Sequence, residues 1–215
     1  MIDALLLDCE QTEGGVNLLM KSVDLGSRLD VVPLYELGDV DLGAYRGLLI
    51  GLHADQRYLL ARKSQLEAFL QGGGTIVFCG HVAYPFLDEL APYQAIPGYT
   101  VDDLEVARAS DHPVWAGVDP RHLTWRRGVA GFYGRGANPP PAGARVVNTL
   151  GRGRYPVDFE VAPGVGGRLL VHAGADLWSY TDAGNSAERM VPQLFDWIAK
   201  GEFAKGGFVK GEIGR

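Results

Sequence analysis

Three apolar runs, Ile2 to Leu7, Gly47 to Ile50 and Thr75 to Phe78, constrain this chain more than any other feature. They lack the polar and apolar alternation of a strand with one wet face, so they read as strands covered on both sides. Strands of that kind belong in a parallel sheet with a helical layer on each face. The segments between them supply the layers. A run carrying Val16, Leu18, Leu19, Met20 and Val23 follows Gly14-Gly15 at nearly helical spacing and stops at Gly26. Leu29 to Leu34 reads as the second strand. Tyr58 to Leu70 reads as a helix, through Leu59, Leu60, Leu66, Phe69 and Leu70, ended by Gly72-Gly73-Gly74. With Asp39 to Tyr45 as a crossover turn, the pattern is doubly wound. The expected fold class is α/β: a flavodoxin-like three-layer open, mainly parallel sheet with helices on both faces and antiparallel additions in the second half.

That second half is less regular. Candidate strands are Leu104 to Ala109, Thr124 to Tyr133, Arg145 to Leu150, Asp158 to Val161 and Arg168 to His172, with Gly151 to Arg154 as a hairpin turn. Asn138-Pro139-Pro140-Pro141 is a stiff connector that has no place in a central strand. Ser186 to Ala199 closes the domain as a helix with a broad apolar face, and Pro192 falls in its first turns, where a missing N–H costs least. The reading is one domain over 1–200 and a Gly-rich C-terminal tail over 201–215. At 215 residues and 47% hydrophobic, the chain suits one core.

A formal charge of −6 argues against a nucleic-acid partner, which needs clustered Lys and Arg, and favours a small polar molecule. The N-terminus has no basic segment before its short apolar run, so neither a signal peptide nor a membrane partner is expected, and the expected location is cytoplasmic. Cys9 and Cys79 sit in no Cys-x-x-Cys motif and read as free thiols. No cofactor is expected: Gly72-Gly73-Gly74 precedes a strand instead of opening a helix, the wrong place for a phosphate cradle. No metal site is expected either, since His53, His81 and His172 are scattered, with no local ligand pair.

Several segments carry a family resemblance. Tyr45 to Ile50, Phe69 to Val77, Asp111-His112-Pro113-Val114-Trp115-Ala116-Gly117-Val118 and Gly167 to His172 together resemble the class I glutamine amidotransferase-like superfamily, including its trehalose-utilisation-type and other non-glutaminase branches. The resemblance implies a nucleophilic cysteine at Cys79, after the fourth strand, and an activating histidine at His172, after a late strand. The departures bear on activity. The elbow pattern Gly-x-Cys-x-Gly is replaced by Val77 and His81 at the glycine positions, with Gly80 after the cysteine. Gly174 stands where the orienting carboxylate belongs, and Asp176 is the next acid. Glutaminase activity is therefore not expected.

Because ligands of open α/β sheets gather at the carboxyl ends of strands, the residues there are read together. Cys79, His172 and Asp176 are the catalytic candidates; Cys9, Glu10, His53, Asp55 and His81 are the ligand-binding candidates. Both cysteines also suit inert packing, and His112 before Pro113 suits a structural turn. Trp125-Arg126-Arg127 through Arg135 has the aromatic faces and Arg forks of a carbohydrate or acidic-ligand surface, though strand alternation accounts for it more simply. Three functions compete: a non-glutaminase domain binding a small polar ligand, a Cys-His hydrolase or transferase, and an assembly subunit that forms a homodimer through its last helix and tail.

Overall fold

The computed structural model describes residues 2–9, 28–163, 166–181 and 184–201. The expected helix around Val16 to Val23, the candidate Glu10 and the tail beyond Gly201 lie outside the described residues. Eight strands form one sheet: β1 (Ile2–Asp8), β2 (Leu29–Pro33), β3 (Tyr45–Ile50), β4 (Thr75–Cys79), β5 (Val106–Arg108), β6 (Arg145–Leu150), β7 (Tyr155–Val161) and β8 (Arg168–His172). Their order is β2-β1-β3-β4-β8-β7-β6-β5. The first five in that order are mutually parallel, and the last three join antiparallel. The fold is mixed α/β on a large, mostly parallel sheet.

The apolar runs divide by parity, as the two-residue period of a strand requires. Leu5, Leu7, Leu48, Ile50, Ile76, Phe78, Leu169 and Val171 face one layer, where they pack on Leu59, Leu66, Phe69 and Leu70. Those residues come from two short helices, α1 (Gln56–Ala61) and α2 (Lys63–Gln71). Ala4, Leu6, Leu49, Val77 and Leu170 face the other layer, against Met190, Val191, Leu194, Phe195, Trp197 and Ile198. Among the described residues, a helix after Thr124 covers that second face. A short α3 (Pro120–Thr124) precedes it at the sheet edge, and α4 (Met190–Lys200) is the covering helix.

Arg168, almost fully buried at the start of β8, ties these parts together. Its guanidinium donates to Thr75 Oγ1 on β4 and to the carbonyls of Trp197 and Ile198, and it stacks over the Trp197 ring at 4.1 Å. The last carbonyls of a helix lack intrahelical donors, so a cation there both satisfies them and offsets the helix dipole.

Three expectations are corrected. The single helix over 58–70 is two helices broken at Arg62, whose φ/ψ of −107°/12° leave the helical region. Ser186–Arg189 is a 3-10 turn leading into α4, not its first α-helical turn. Thr124 to Tyr133 is not a continuous strand: Trp125–Arg126 and Val129–Ala130 form a two-residue ribbon around Arg127 and Gly128. Both turn residues have positive φ, 50° and 78°, the conformation a tight hairpin demands. The hairpin at Gly151 to Arg154 forms where expected, between Leu150 and Tyr155.

Truncating Ile76, fully buried in β4, to Ala should cost about 2–5 kcal/mol through lost transfer energy and a cavity. The same truncation at the exposed Leu60 should cost less than about 1 kcal/mol. Urea unfolding of the two variants checks both values.

Candidate functional site

A polar row crosses the second half of the sheet. Cys79 on β4 is register-paired with His172 on β8, His172 with Asp158 on β7, Asp158 with Asn148 on β6, and Asn148 with Arg108 on β5. Residues opposite one another on neighbouring strands share a face, so these five side chains stand in line. The side chains of His172 and Asp158 are both fully buried, and His172 Nδ1 donates to Asp158 Oδ1 at 2.6 Å. The other carboxylate oxygen accepts from Tyr133 Oη and Asn148 Nδ2, each at 2.6 Å. Tyr133 Oη in turn accepts from Trp115 Nε1 at 2.8 Å and from Asn148 Nδ2 at 3.1 Å. Arg108 Nη1 donates to Asn148 Oδ1 at 2.6 Å and so fixes the amide's orientation. Every polar atom of Asp158 is matched, as burial of a carboxylate requires.

The acid that holds His172 is thus Asp158, and the expectation for Asp176 is corrected. Asp176 Oδ1 accepts the Leu52 N–H at 2.7 Å, and both its carboxylate oxygens sit 3.1 Å from where a Cβ on Gly51 would stand. Asp176 pins the loop after β3. The missing carboxylate at Gly174 also has a steric reason. A Cβ there would overlap the Tyr133 carbonyl oxygen and lie 2.6 Å from His172 Nε2, so the position admits only glycine.

Cys79 is wholly enclosed. Its Sγ accepts the Leu177 N–H at 3.5 Å, while burial first and the charge of Asp176 second push the thiol well above its ordinary pKa. Both effects favour the neutral thiol over the thiolate that nucleophilic attack needs. His172 Nε2 is buried without a hydrogen-bond partner, enclosed by Gly174 and by the Tyr133 ring, whose centroid is 4.6 Å from that of the imidazole. Directly after Cys79 the chain turns at Gly80, with φ 129°, where a Cβ would press within 3.0 Å of Leu52 Cα.

The exposed groups at the strand ends lie around this closed centre. His53 and Asp55 follow β3, and both are exposed. Asp55 caps α1 by accepting from the amides of Arg57 and Tyr58, and it accepts from Tyr35 Oη at 3.2 Å. These bonds, that of Tyr58 foremost, hold its carboxyl below the usual range. His81 follows β4 and stacks on Tyr93 at 3.7 Å; burial of that ring face, then His172 and Arg135, pull its pKa down. Two amide side chains clamp its loop. Gln56 donates to His81 O and accepts from the amides of Ala83 and Tyr84; Asn138 donates to Gly80 O and accepts from Val82 N. Cys9, half-buried after β1, donates to Leu7 O at 3.3 Å. Among the described residues no group of three His, Cys, Asp or Glu gathers as a metal site would.

Sequence reasoning missed Asp158, Asn148, Tyr133 and the clamp residues Gln56 and Asn138. One signal was available: Asn148 and Asp158 each follow apolar residues, Val146-Val147 and Val157, in strand segments, and buried polar residues mark partners. His112 takes the structural part foreseen for it, capping the 3-10 turn Pro113–Trp115 through Nδ1.

No protein-family model matches the chain, and no curated protein matches it. Solved structures do. The N-terminal domain of mmIFT52 superposes with a TM-score of 0.57 at 9% identity, over 94% of this chain and 99% of that one. A cold-adapted β-galactosidase from Rahnella sp. R3 superposes with a TM-score of 0.54 at 13% identity, over 93% of this chain and 31% of that one. At such identities the likeness is one of fold alone. No helix among the described residues is long and apolar enough to cross a membrane.

Replacing Asp158 by Ala strands three buried donors, those of His172, Asn148 and Tyr133, and should cost about 3–5 kcal/mol in urea unfolding. A second expectation concerns pH. Burial holds His112 below its ordinary pKa, against the opposing pull of Glu160. The unfolded chain takes up that proton near about pH 6.5. The contribution is therefore complete above that pH and is lost as pH falls through the folded value. Stability should drop between pH 7 and pH 5, and drop less in His112→Asn, which retains the cap.

Proposed function

We propose that this chain is a flavodoxin-like, three-layer domain of the amidotransferase-like group, without glutaminase activity, that binds a small polar molecule at the crevice along its strand ends. One observation carries the reading. The cysteine and histidine that would do the chemistry are sealed inside the sheet layer, whereas exposed polar groups, His53, Asp55 and His81, ring the strand ends above them. The five parallel strands in the order β2-β1-β3-β4-β8, with Cys79 and His172 ending β4 and β8, support the family assignment. Backbone clamps on the 80–84 loop support a binding role, because a ligand gains affinity from groups held in place beforehand.

A second reading, a Cys-His hydrolase or transferase, is favoured by the Asp158 bond to His172 Nδ1. That bond leaves Nε2 as the basic nitrogen on the face shared with Cys79. Opening of the layer over Cys79 is what this reading requires.

Thiol reactivity separates the two. In the folded protein at pH 7.5, iodoacetamide should leave Cys79 unmodified and should label it after denaturation; peptide mapping reads the site. Alkylation of Cys79 in the folded state, abolished by His172→Ala in a variant shown to remain folded, would overturn the binding reading in favour of the hydrolytic one. In parallel, amide chemical shifts recorded against neutral sugars, primary amides and nucleosides should move at residues 53–55 and 81–84 for the class that binds. Movement confined to other surfaces counts against the strand-end crevice.

A further inference from the structure

His81, exposed directly after β4, lies flat against Tyr93, with ring centroids 3.7 Å apart and planes at 14°. Both rings are held in place by the backbone around them. The Tyr93 N–H donates to Val82 O at 2.8 Å, and Val82 belongs to the loop that Gln56 and Asn138 clamp. The Tyr93 side chain lies over Gly136, where a Cβ would overlap both Tyr93 Oη and Gln94 O, so the stack depends on glycine at that position. A short antiparallel ribbon, Gln94–Ala95 with Gly136–Ala137, fixes Gly136 there. Because Tyr93 covers one face of the imidazole, the exposure of His81 belongs to its edges and its other face.

The same ribbon brings Arg135 to this platform. Its carbonyl accepts the Ile96 N–H at 3.1 Å, and its guanidinium carbon stands 6.0 Å from the Tyr99 ring centroid. Burial lowers the His81 pKa first and the charges of His172 and Arg135 add to it, so the guanidinium is within electrostatic reach of the imidazole. Arg135 is exposed, and its Nε donates to Gly131 O at 3.2 Å. Among the described residues, its two terminal nitrogens have neither a hydrogen-bond acceptor nor an ion-pairing carboxylate. An open imidazole face and an unused fork stand near one another at one strand end.

We infer that the strand-end crevice takes a planar aromatic carboxylate, its ring stacked on His81 and its carboxylate on the Arg135 fork. A guanidinium fork offers a carboxylate two parallel N–H donors. A ring laid on a surface already stacked and pinned loses little freedom beyond its own, because the protein groups are ordered beforehand. The inference rests on the strand-end binding reading and adds the ligand's chemistry to it.

The test uses nicotinate as a probe of the full chain at pH 7.5, with binding followed by amide and imidazole chemical shifts. Nicotinate should saturate, and the His81 ring protons should move upfield, the direction that a stacked ring imposes. Nicotinamide keeps the ring without the charge, and cyclohexanecarboxylate keeps the charge without the flat face. Each should bind at least about tenfold more weakly, the scale of one charged hydrogen bond or one stacked ring. Arg135→Gln should weaken nicotinate by a similar factor and leave nicotinamide unchanged. His81→Ala should weaken both, and His81→Phe, which keeps a flat face, should restore them. Both positions are exposed, so these substitutions do not threaten the fold. Equal affinity for the three probes, or nicotinate binding unchanged in Arg135→Gln and His81→Ala, would overturn the assignment. So would failure of nicotinate to saturate. If a neutral sugar or amide then moves residues 53–55 and 81–84, the binding reading stands without the aromatic anion; if nothing moves them, both fall.

Discussion

A carboxylate removed from water has to be matched at every oxygen, and the burial of Asp158 places that demand at the centre of this molecule. It is met from three directions: His172 across one strand boundary, Asn148 across the other, and Tyr133 from the chain that passes over the sheet. Each partner has a further constraint. Tyr133 is held by Trp115, which belongs to the His112–Val118 segment; Asn148 is held by Arg108 on the edge strand. The segments of Tyr133 and Trp115 over the second face of the sheet are thus tied to one ionisable group. The antiparallel strands β5 to β7 also become intelligible. They extend the parallel sheet just far enough to line up donors on both sides of Asp158.

The same network bears on chemistry. A Cys-His-Asp series on adjacent strands has the order that a thiol hydrolase needs, yet Cys79 meets desolvation and a neighbouring carboxylate, both of which oppose thiolate formation. The His172 ring that would serve as base is closed in by Gly174 and Tyr133. Order along a sheet and access to a substrate are separate requirements, and in this conformation only the first is met. What remains open to solvent at the strand ends is a set of polar side chains, His53, Asp55 and His81, beside the clamped loop that follows β4.

The parallel half of the fold was legible because its strands are apolar on both faces, and a double-sided strand has few other places to go. The runs Ile2 to Leu7, Gly47 to Ile50 and Thr75 to Phe78 fall within the strands Ile2–Asp8, Tyr45–Ile50 and Thr75–Cys79. Thr124 to Tyr133 did not, because alternation over ten residues was set against Arg127-Gly128, a pair able to take positive φ and fold the segment back on itself. The candidate site divides in the same way. Cys79 and His172 were visible as the ends of recognisable strands. Asp158, fourteen residues before the histidine it holds, was not, since nothing local links an acid in mid-strand to a histidine at the end of the next one.

Hydrophobic period and glycine placement, read along the chain by themselves, determined that a sheet forms, which runs lie at its centre, and which residues stand at the strand ends. Both are local properties, carried by neighbours a few residues apart. Register was decided only by the tertiary structure. A shift of two residues between β7 and β8 would keep every side chain on its face, yet would separate Asp158 from His172. What selects the observed pairing is the summed geometry of hydrogen bonds among Arg108, Asn148, Asp158, Tyr133 and His172, side chains scattered over more than sixty residues of sequence that meet only once the sheet has formed.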